Sequence, residues 1–233
     1  MEALAGLISK TKLFQGLTTA EAEAFLEKAD VHRESFKKKS VIICEGDANV
    51  RIGVILQGSI VAERVLPDGE VLIASKMGAG GVLGDVLSGS SAVSPVTVIA
   101  AEDTEILFFS IAAFIEPNAA LIGLQLKLTK NLILDISDKY FELEKRVAIM
   151  SAGALRRRIL LYLCGYCPGK PKQPFDVPHT RAQQAAYLGC ERSALSRELS
   201  KMREDGIIDY DKNSFSIIDG EHNCRKDFLY TND

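Results

Sequence analysis

The sequence predicts an α+β fold in which a roll of short strands comes first, one long helix follows, and a helix pair with a β-hairpin closes the chain. Three observations carry this prediction. Short apolar runs alternate with glycine as far as Phe114, a leucine-rich pattern of helical period fills residues 118–150, and two amphipathic segments meet at Gly189. The 233 residues, 47% of them hydrophobic, suffice for one or two domains with a sizeable core.

The N-terminal region, residues 1–114, opens with a predicted helix over 18–29 that Thr18 or Thr19 caps. The turn Pro67-Asp68-Gly69 between two apolar runs indicates a hairpin, because proline presets the first turn angle and glycine accepts a positive φ. Strands at this spacing are typical of a small barrel or roll. The predicted strands are 40–44, 53–56, 59–65, 71–74, 97–101 and 105–110.

A long helix is predicted within residues 115–150, since proline is absent and glycine rare from residue 118 onward. Its apolar residues recur every three or four positions and form one stripe. A helix of about 30 residues spans roughly 45 Å, so we expect its first turns to pack on the roll and the rest to meet the same helix of a second subunit. The expected dimer interface comprises Leu121, Leu124, Leu128, Leu132, Ile136, Tyr140 and Leu143, and Val147 and Met150 continue the stripe.

Residues 180–199 predict two short helices broken at Gly189, an arrangement typical of the helix-turn-helix. Thr180 and Gln183 have the spacing of a capping box, which satisfies two backbone donors at the start of the first helix. The residues expected to face the core are Ala182, Ala185, Ala186, Leu188, Ala194, Leu195 and Leu199. Those left to face outward, with side chains able to read base edges, are Arg192, Ser193, Ser196 and Arg197.

Two amphipathic helices around a glycine also occur in all-α domains that bind no DNA, and this pattern alone does not separate the two interpretations. The flanking residues favour DNA binding. A short strand over 175–178 precedes the helices, and apolar runs on both sides of Asp211-Lys212-Asn213 indicate a hairpin, so residues 151–233 are predicted to form a winged helix. Residues 152–233 hold 13 Lys and Arg against 11 Asp and Glu, whereas residues 1–151 hold 15 against 20.

A family resemblance rests on six residues of this region and their spacing: Thr180, Arg181, Gly189, Cys190, Arg192 and Arg197. They resemble the Crp/Fnr family of transcription regulators. The run Glu45-Gly46-Asp47 and the segment GVILQGSI at 53–60 are similar to the family's β-roll, a double-stranded jelly roll of the cyclic-nucleotide-binding type. The resemblance covers nearly the whole chain.

The resemblance implies a homodimer that binds a palindromic operator in double-stranded DNA and contacts RNA polymerase. It adds Thr180 and Arg181 to the expected DNA-binding residues, with Arg181 on a phosphate and Arg192 and Arg197 on bases. The sequence contains neither a signal-peptide pattern nor an apolar run of membrane-spanning length, so we expect a cytoplasmic protein without membrane contact.

The effector is less well defined. Cyclic-AMP-binding members of the family use a glycine and a glutamate on the ribose and an arginine-serine pair on the phosphate. Gly84 and Asp85 match the first pair in kind, but Ser94-Pro95 replaces the second, and residues 77–126 contain no Lys or Arg. We therefore expect an effector other than cyclic AMP, because a buried phosphate would lack its charge partner. The expected pocket residues are Gly84, Asp85, Ser94, Pro95 and Val96.

Two points about this pocket stay open. Gly84-Asp85 has a second interpretation as a turn whose carboxylate accepts backbone hydrogen bonds. If an anion does bind, the cation must come from elsewhere, such as Lys127 or Lys130 on the long helix.

An enzymatic function is not expected. The sequence shows no nucleophile with a neighbouring base and no GxxxxGK[ST] phosphate-binding loop. The histidines are His32, His179 and His222, so a cupin-like metal centre inside the roll would lack its ligands, and we predict no metal site. A ligand-binding protein of cupin type that binds no DNA remains the weakest alternative.

Cofactor sensing is the other alternative. The first 43 residues contain no cysteine, which argues against an N-terminal iron–sulfur cluster. Haem with Cys44, Met77 or Met150 as a ligand is one open hypothesis, although a lone Met or Cys near apolar sequence is far more often part of the core. A redox role for Cys164 and Cys167, which have CxxC spacing, is another.

Overall fold

The computed structural model of the chain describes residues 2–48, 51–69, 71–85, 93–168 and 172–218. The chain divides into two compact units, Met1–Lys139 and Tyr140–Asp233. Within the described residues, no helix is both long enough and apolar enough to cross a membrane.

The first unit contains the predicted roll. Its strands are β1 (Val31–Phe36), β2 (Val41–Ile43), β3 (Arg51–Gln57), β4 (Ser59–Val65), β5 (Val71–Gly78), β6 (Val82–Leu83), β7 (Thr97–Ala100) and β8 (Thr104–Ser110). They form two antiparallel sheets with the orders β1-β8-β3-β6 and β2-β7-β4-β5. The α+β class and the double-stranded roll are thus confirmed.

The two sheets enclose the core of the roll. Side chains of both sheets meet there, among them Ile55 and Phe108 from the first sheet and Ile60 and Val98 from the second. The alternate residues of the first sheet, including Ile52 and Phe109, turn to its opposite face and pack under the N-terminal helices. Because that sheet is buried on both faces, the residues of β8 from 106 to 109 are all apolar and do not alternate with polar residues.

The helices that the described residues of this unit form, wholly or partly, are α1 (Glu2–Ile8), α2 (Thr19–Leu26), α3 (Ala112–Ile115) and the long helix α4 (Ile122–Ser151). Of the two predicted caps, Thr18 or Thr19, it is Thr18 that caps α2, within a capping box completed by Glu21. The strands β1 and β6 and the helix α1 were not predicted, because β1 is mostly polar and exposed and β6 has only two residues.

The 30-residue helix α4 confirms the predicted long helix, but its apolar stripe divides into two faces. Leu121, Leu128 and Leu132 are 5%, 0% and 5% exposed because they pack on the roll and the N-terminal helices of their own chain. Leu124 and Ile136 are partly buried in the same cluster. Leu121, Leu128 and Leu132 are therefore covered by their own chain, whereas Tyr140 and Leu143 remain exposed.

The second unit contains the predicted winged helix. It comprises the end of α4, then α5 (Leu155–Cys164), β9 (Phe175–Asp176), α6 (Arg181–Tyr187), α7 (Arg192–Glu204), β10 (Ile208–Asp211) and β11 (Ser214–Ile217). The strands form one antiparallel sheet in the order β10-β11-β9. Its core includes Ile159, Leu163, Leu195, Leu199 and Phe215. The hairpin β10–β11 turns at Lys212, which has a φ of 52°, and Asn213.

Candidate nucleic-acid interface

The first helix of the helix-turn-helix begins as predicted. The Thr180 Oγ1 accepts a hydrogen bond from the Gln183 backbone N–H, and the Gln183 Oε1 accepts one from the Thr180 N–H at 2.8 Å. Ala185 and Leu188 are buried, but Ala182 and Ala186 are exposed, which corrects their predicted place in the core. Gln184 is buried instead, because its side chain donates to the His179 carbonyl oxygen and accepts from Arg181.

The turn between the two helices depends on Gly189. Its φ is 61°, a left-handed conformation that side chains with a Cβ disfavour. The end of the Met150 side chain, on α4, occupies the space that a Cβ at this position would need. Arg158 on α5 donates from Nη1 to the Leu188 carbonyl oxygen at 2.5 Å, so the turn is fixed from a neighbouring helix as well.

The second helix, α7, presents the predicted face. Leu195, Leu199 and Met202 are buried in the domain core, which fixes the orientation of the helix. All four residues expected to face outward are exposed: Arg192, Ser193, Ser196 and Arg197. The helix begins at Arg192, so these side chains occupy its first two turns, the part that enters the major groove in a helix-turn-helix.

Several arginines of this unit are bound within it. Arg156 pairs with Glu198 at 2.7 Å and Asp205 at 2.6 Å, Arg158 bonds to the turn, and Arg203 pairs with Asp209 at 2.8 Å. Arg192 and Arg197, by contrast, make no ion pair and no side-chain hydrogen bond among the described residues. Their guanidinium groups are therefore available to an external partner.

Arg181, the residue expected to contact a phosphate, is bonded within the domain. It is half-buried, and it donates to the Gln184 Oε1 at 2.5 Å and to the Lys212 carbonyl oxygen at 3.0 Å. Its guanidinium also lies 5.4 Å from the ring centroids of Tyr210 and Phe215. Burial lowers the pKa of Arg181 from its ordinary value. Arg181 thus joins the hairpin to α6, and only its remaining donors could contact DNA.

Aromatic side chains join the end of α4 to α6. The Tyr187 hydroxyl donates to the Glu142 Oε1 at 2.9 Å, and the Arg146 guanidinium lies 5.7 Å from the Tyr187 ring centroid. Tyr187 also stacks on His179, which exchanges a hydrogen bond with the Tyr162 hydroxyl at 2.9 Å. Burial, above all, raises the pKa of Tyr162 and Tyr187, so both phenols stay protonated at neutral pH. The sequence pattern did not predict this cluster.

The expected effector pocket is only partly described, because residues 86–92 lie outside the described ranges. Gly84 has a φ of 73°, and Asp85 is buried. The Lys139 Nζ on α4 donates to the Asp85 Oδ2 at 2.9 Å, donates to the Val82 carbonyl oxygen, and lies 2.8 Å from the Asp135 Oδ2. The cation at Asp85 is therefore Lys139, which the sequence pattern did not indicate.

The second half of the expected pocket is residues 94–96, where the Ser94 side chain already has a hydrogen-bond partner. The Ser94 hydroxyl donates to the Val96 carbonyl oxygen at 2.7 Å, and its side chain is buried. Of the two lysines proposed as alternative cations, Lys127 pairs with Glu21 at 2.7 Å. The Pro95 carbonyl oxygen accepts a hydrogen bond from Arg64 Nε at 2.9 Å, so β4 brings an arginine to this place from outside residues 77–126.

The candidate cofactor residues are dispersed. Cys44 is exposed, Met77 packs against the roll core, and Met150 lies at Gly189. Cys167 has a free thiol, so it is not bonded to Cys164, which ends α5 in the domain core. Within the described ranges, no three His, Cys, Asp or Glu side chains form a metal-binding group.

Comparisons with known proteins agree with this architecture. A model of the cyclic nucleotide-binding domain matches residues 33–116, and one of the Crp-like helix-turn-helix domain matches residues 157–222. The Thermus thermophilus catabolite activator protein is 20% identical, with a TM-score of 0.54 and coverage of 89% of this chain and 93% of that one. A comparison with curated protein sequences gives no significant match.

Two other solved structures share the fold. CprK complexed with OCPA is 18% identical, with a TM-score of 0.62 and coverage of 85% of this chain and 90% of that one. The c-di-GMP-responsive regulator CLP of Xanthomonas campestris is 16% identical, with a TM-score of 0.57 and coverage of 87% and 100%.

A roll of the cyclic-nucleotide-binding type followed by a winged helix-turn-helix defines a DNA-binding transcription regulator. The two domain models together match most of the described chain, in the order that such regulators have. The chain belongs to the Crp/Fnr family.

Proposed function

We propose that the protein is a homodimeric transcription regulator that reads a two-fold operator with Arg192, Ser193, Ser196 and Arg197, under the control of an effector in the roll. The supporting observation is the contrast among the arginines of the winged helix. Arg156, Arg158 and Arg203 are bound within the domain, whereas Arg192 and Arg197 on α7, like Arg157 on α5, are exposed and have no protein partner among the described residues. An arginine fork bonds both major-groove acceptors of guanine.

The dimer is proposed to form along α4. Most of the exposed apolar residues of this helix follow a heptad pattern, in which positions three and four residues apart share one face; Leu134 and Phe141 are exposed outside it. The residues at its a and d positions are Ile122, Leu126, Thr129, Ile133, Ile136, Tyr140, Leu143, Val147 and Met150. Leu126 and Ile133 are 67% and 57% exposed in the single chain, so a second helix is needed to cover them.

This pattern replaces the first half of the interface that the sequence suggested and keeps its second half. Two parallel helices joined in this way would carry two winged helix-turn-helix domains related by a two-fold axis. Such a dimer suits half-sites about 34–36 Å apart on one side of the DNA. Contact with RNA polymerase is part of the proposal, as in other regulators of this family.

The effector is proposed to be other than cyclic AMP. Asp85, the residue expected on the ribose, is held by Lys139, and Ser94 uses its hydroxyl on Val96. Neither group is free to replace the contacts that a nucleotide needs. A calorimetric titration with cyclic AMP is expected to show no saturable binding at micromolar concentrations, and saturable binding with tighter operator affinity would contradict this part of the proposal.

The regulatory function is tested by selection of DNA from a random pool with the purified chain. We expect an enriched inverted repeat whose half-sites each contain guanine, with centres about ten base pairs apart. Enrichment of no sequence, with all DNA bound equally and only in low salt, would contradict sequence-specific reading.

A further inference from the structure

The end of α4, residues 140–151, belongs to the same compact unit as the winged helix. One stripe of this segment contacts the winged helix, and its members are Glu142, Arg146 and Ile149. Ile149 is 2% exposed because it packs in the core of the unit. Glu142 and Arg146 both contact Tyr187, the last residue of α6. This stripe therefore holds the first helix of the helix-turn-helix against α4.

Tyr187 makes these contacts with both parts of its side chain. Its hydroxyl donates to the Glu142 Oε1 at 2.9 Å, and the Arg146 guanidinium lies 5.7 Å from its ring centroid, within the range of a cation–π contact. The same ring lies 5.2 Å from the ring of Tyr162 on α5 and stacks on His179. Because Tyr162 and His179 are hydrogen-bonded to each other, the ring of Tyr187 is held by the domain while its hydroxyl is held by α4.

A second stripe of the same segment is apolar and exposed in the single chain. Tyr140, Leu143 and Val147 are 61%, 61% and 56% exposed. They belong to the heptad pattern along which the dimer is proposed to form. Because one helix carries both stripes, its backbone fixes the angle between the winged helix on the first and a second subunit on the other. In such a dimer, the contacts of the first stripe determine how the two copies of α7 are spaced and oriented.

We propose that Tyr187 is a positioning residue for DNA recognition, which determines through Glu142 and Arg146 the half-site spacing that the dimer accepts. The proposal rests on the proposed function, because spacing has meaning only for a dimer that reads two half-sites. One inserted base pair moves the second half-site by about 3.4 Å and rotates it by about 35°, so two firmly held winged helices discriminate against it. Loss of the Tyr187 contacts should reduce this discrimination without changing how Arg192 and Arg197 read each half-site.

The test uses the selected operator, the same operator with one base pair inserted between its half-sites, and a single half-site. Fluorescence anisotropy at one salt concentration gives the affinity of the full chain for each DNA. We expect the unaltered chain to bind the lengthened operator about tenfold or more weakly than the selected one. In Tyr187→Phe, which keeps the ring, and in Glu142→Ala, this ratio should be lower by about threefold or more, with the half-site affinity unchanged.

The matched control is Tyr166→Phe. The Tyr166 hydroxyl belongs to the same aromatic cluster, where it lies 3.4 Å from the His179 Nδ1, and it makes no hydrogen bond to α4 among the described residues. This variant should keep the spacing ratio of the unaltered chain.

The proposal is overturned if Tyr187→Phe and Glu142→Ala also keep that ratio. It is equally overturned if their half-site affinity falls in parallel with operator affinity at a constant ratio, because Tyr187 would then only support the fold of the domain. Selection of no inverted repeat by the unaltered chain would instead reject the proposed function. Selection of one whose spacing the variants still require would reject only the role of Tyr187.

Discussion

At the scale of single residues, the DNA-reading face comprises Arg192, Ser193, Ser196 and Arg197 of α7. It is recognised by arginines that lack a protein partner, and the total number of arginines in the unit is a poorer guide. The winged-helix unit has almost balanced charge in sequence, and many of its arginines serve the fold. Arg156 joins α5 to α7 through Glu198, and Arg203 joins α7 to the hairpin through Asp209. On the helix-turn-helix, the arginines left for DNA are Arg192 and Arg197, which the packing of α7 holds outward.

Glu21 is expected to contribute to stability in a pH-dependent manner. Hydrogen bonds from Lys127 and from the Thr18 backbone N–H lower its pKa from 4.5 to about 2. A lowered pKa in the folded state means that the contribution is present above pH 4.5 and is lost as the pH falls toward 2. Glu21→Gln should therefore lower the melting temperature at pH 7, and its difference from the unaltered chain should shrink over that acidic range.

Melting curves recorded from pH 7 to pH 2 measure this difference. Glu27→Gln is the control, because the Glu27 carboxylate lies at the end of the same helix and makes no bond among the described residues. A difference between Glu21→Gln and the unaltered chain that stays constant with pH would contradict the assigned carboxylate contacts.

At the scale of elements, the helix-turn-helix depends on the left-handed turn at Gly189. Gly189→Ala is expected to destabilise the second unit by about 1–2 kcal/mol, because an alanine must adopt an unfavourable φ and displace the end of Met150. Gly123→Ala, in the exposed first turn of α4, is the control, since its Cβ would meet nothing within 4 Å. Denaturant titrations should give lower stability for the first variant only, and equal stabilities would show that the turn tolerates a side chain.

Most elements could be predicted from local patterns, and the errors at α4 and at the expected pocket share one cause. The capping box of Thr180 and Gln183, the hairpin turn and the helix-turn-helix depend on neighbouring residues, and all were found in sequence. The face of α4 was not, because Leu128 and Leu126 are both apolar and only tertiary packing decides which of them the roll covers. Arg64 and Lys139 were missed for the same reason, since strand pairing and helix packing bring them to Pro95 and Asp85.

At the scale of the whole molecule, reading a two-fold operator requires a dimer, which is proposed to form along α4. Leu126→Asp or Ile133→Asp is expected to dissociate it, because each would bury an uncompensated carboxylate at a cost of about 3–5 kcal/mol. The folded single chain should persist, since both positions are exposed in it. Leu128→Asp is not a suitable test, because Leu128 lies in the core of its own unit.

Light scattering coupled to size-exclusion chromatography measures the oligomeric state. Lys145→Asp, on the same helix but away from the a and d positions, is the control and should remain dimeric. If Leu126→Asp and Ile133→Asp both kept the mass of a dimer, the subunits would have to meet through another surface.

The most direct measurement of the central claim is the affinity of Arg197→Ala for the selected operator and for random DNA, by fluorescence anisotropy at one fixed salt concentration. We predict that operator binding weakens by about 1–3 kcal/mol, about five- to 150-fold, while binding to random DNA changes much less. Arg157→Ala, which removes an exposed arginine of α5, should leave the ratio of the two affinities unchanged. Unchanged affinities of Arg197→Ala for both DNAs would contradict the reading face assigned to α7.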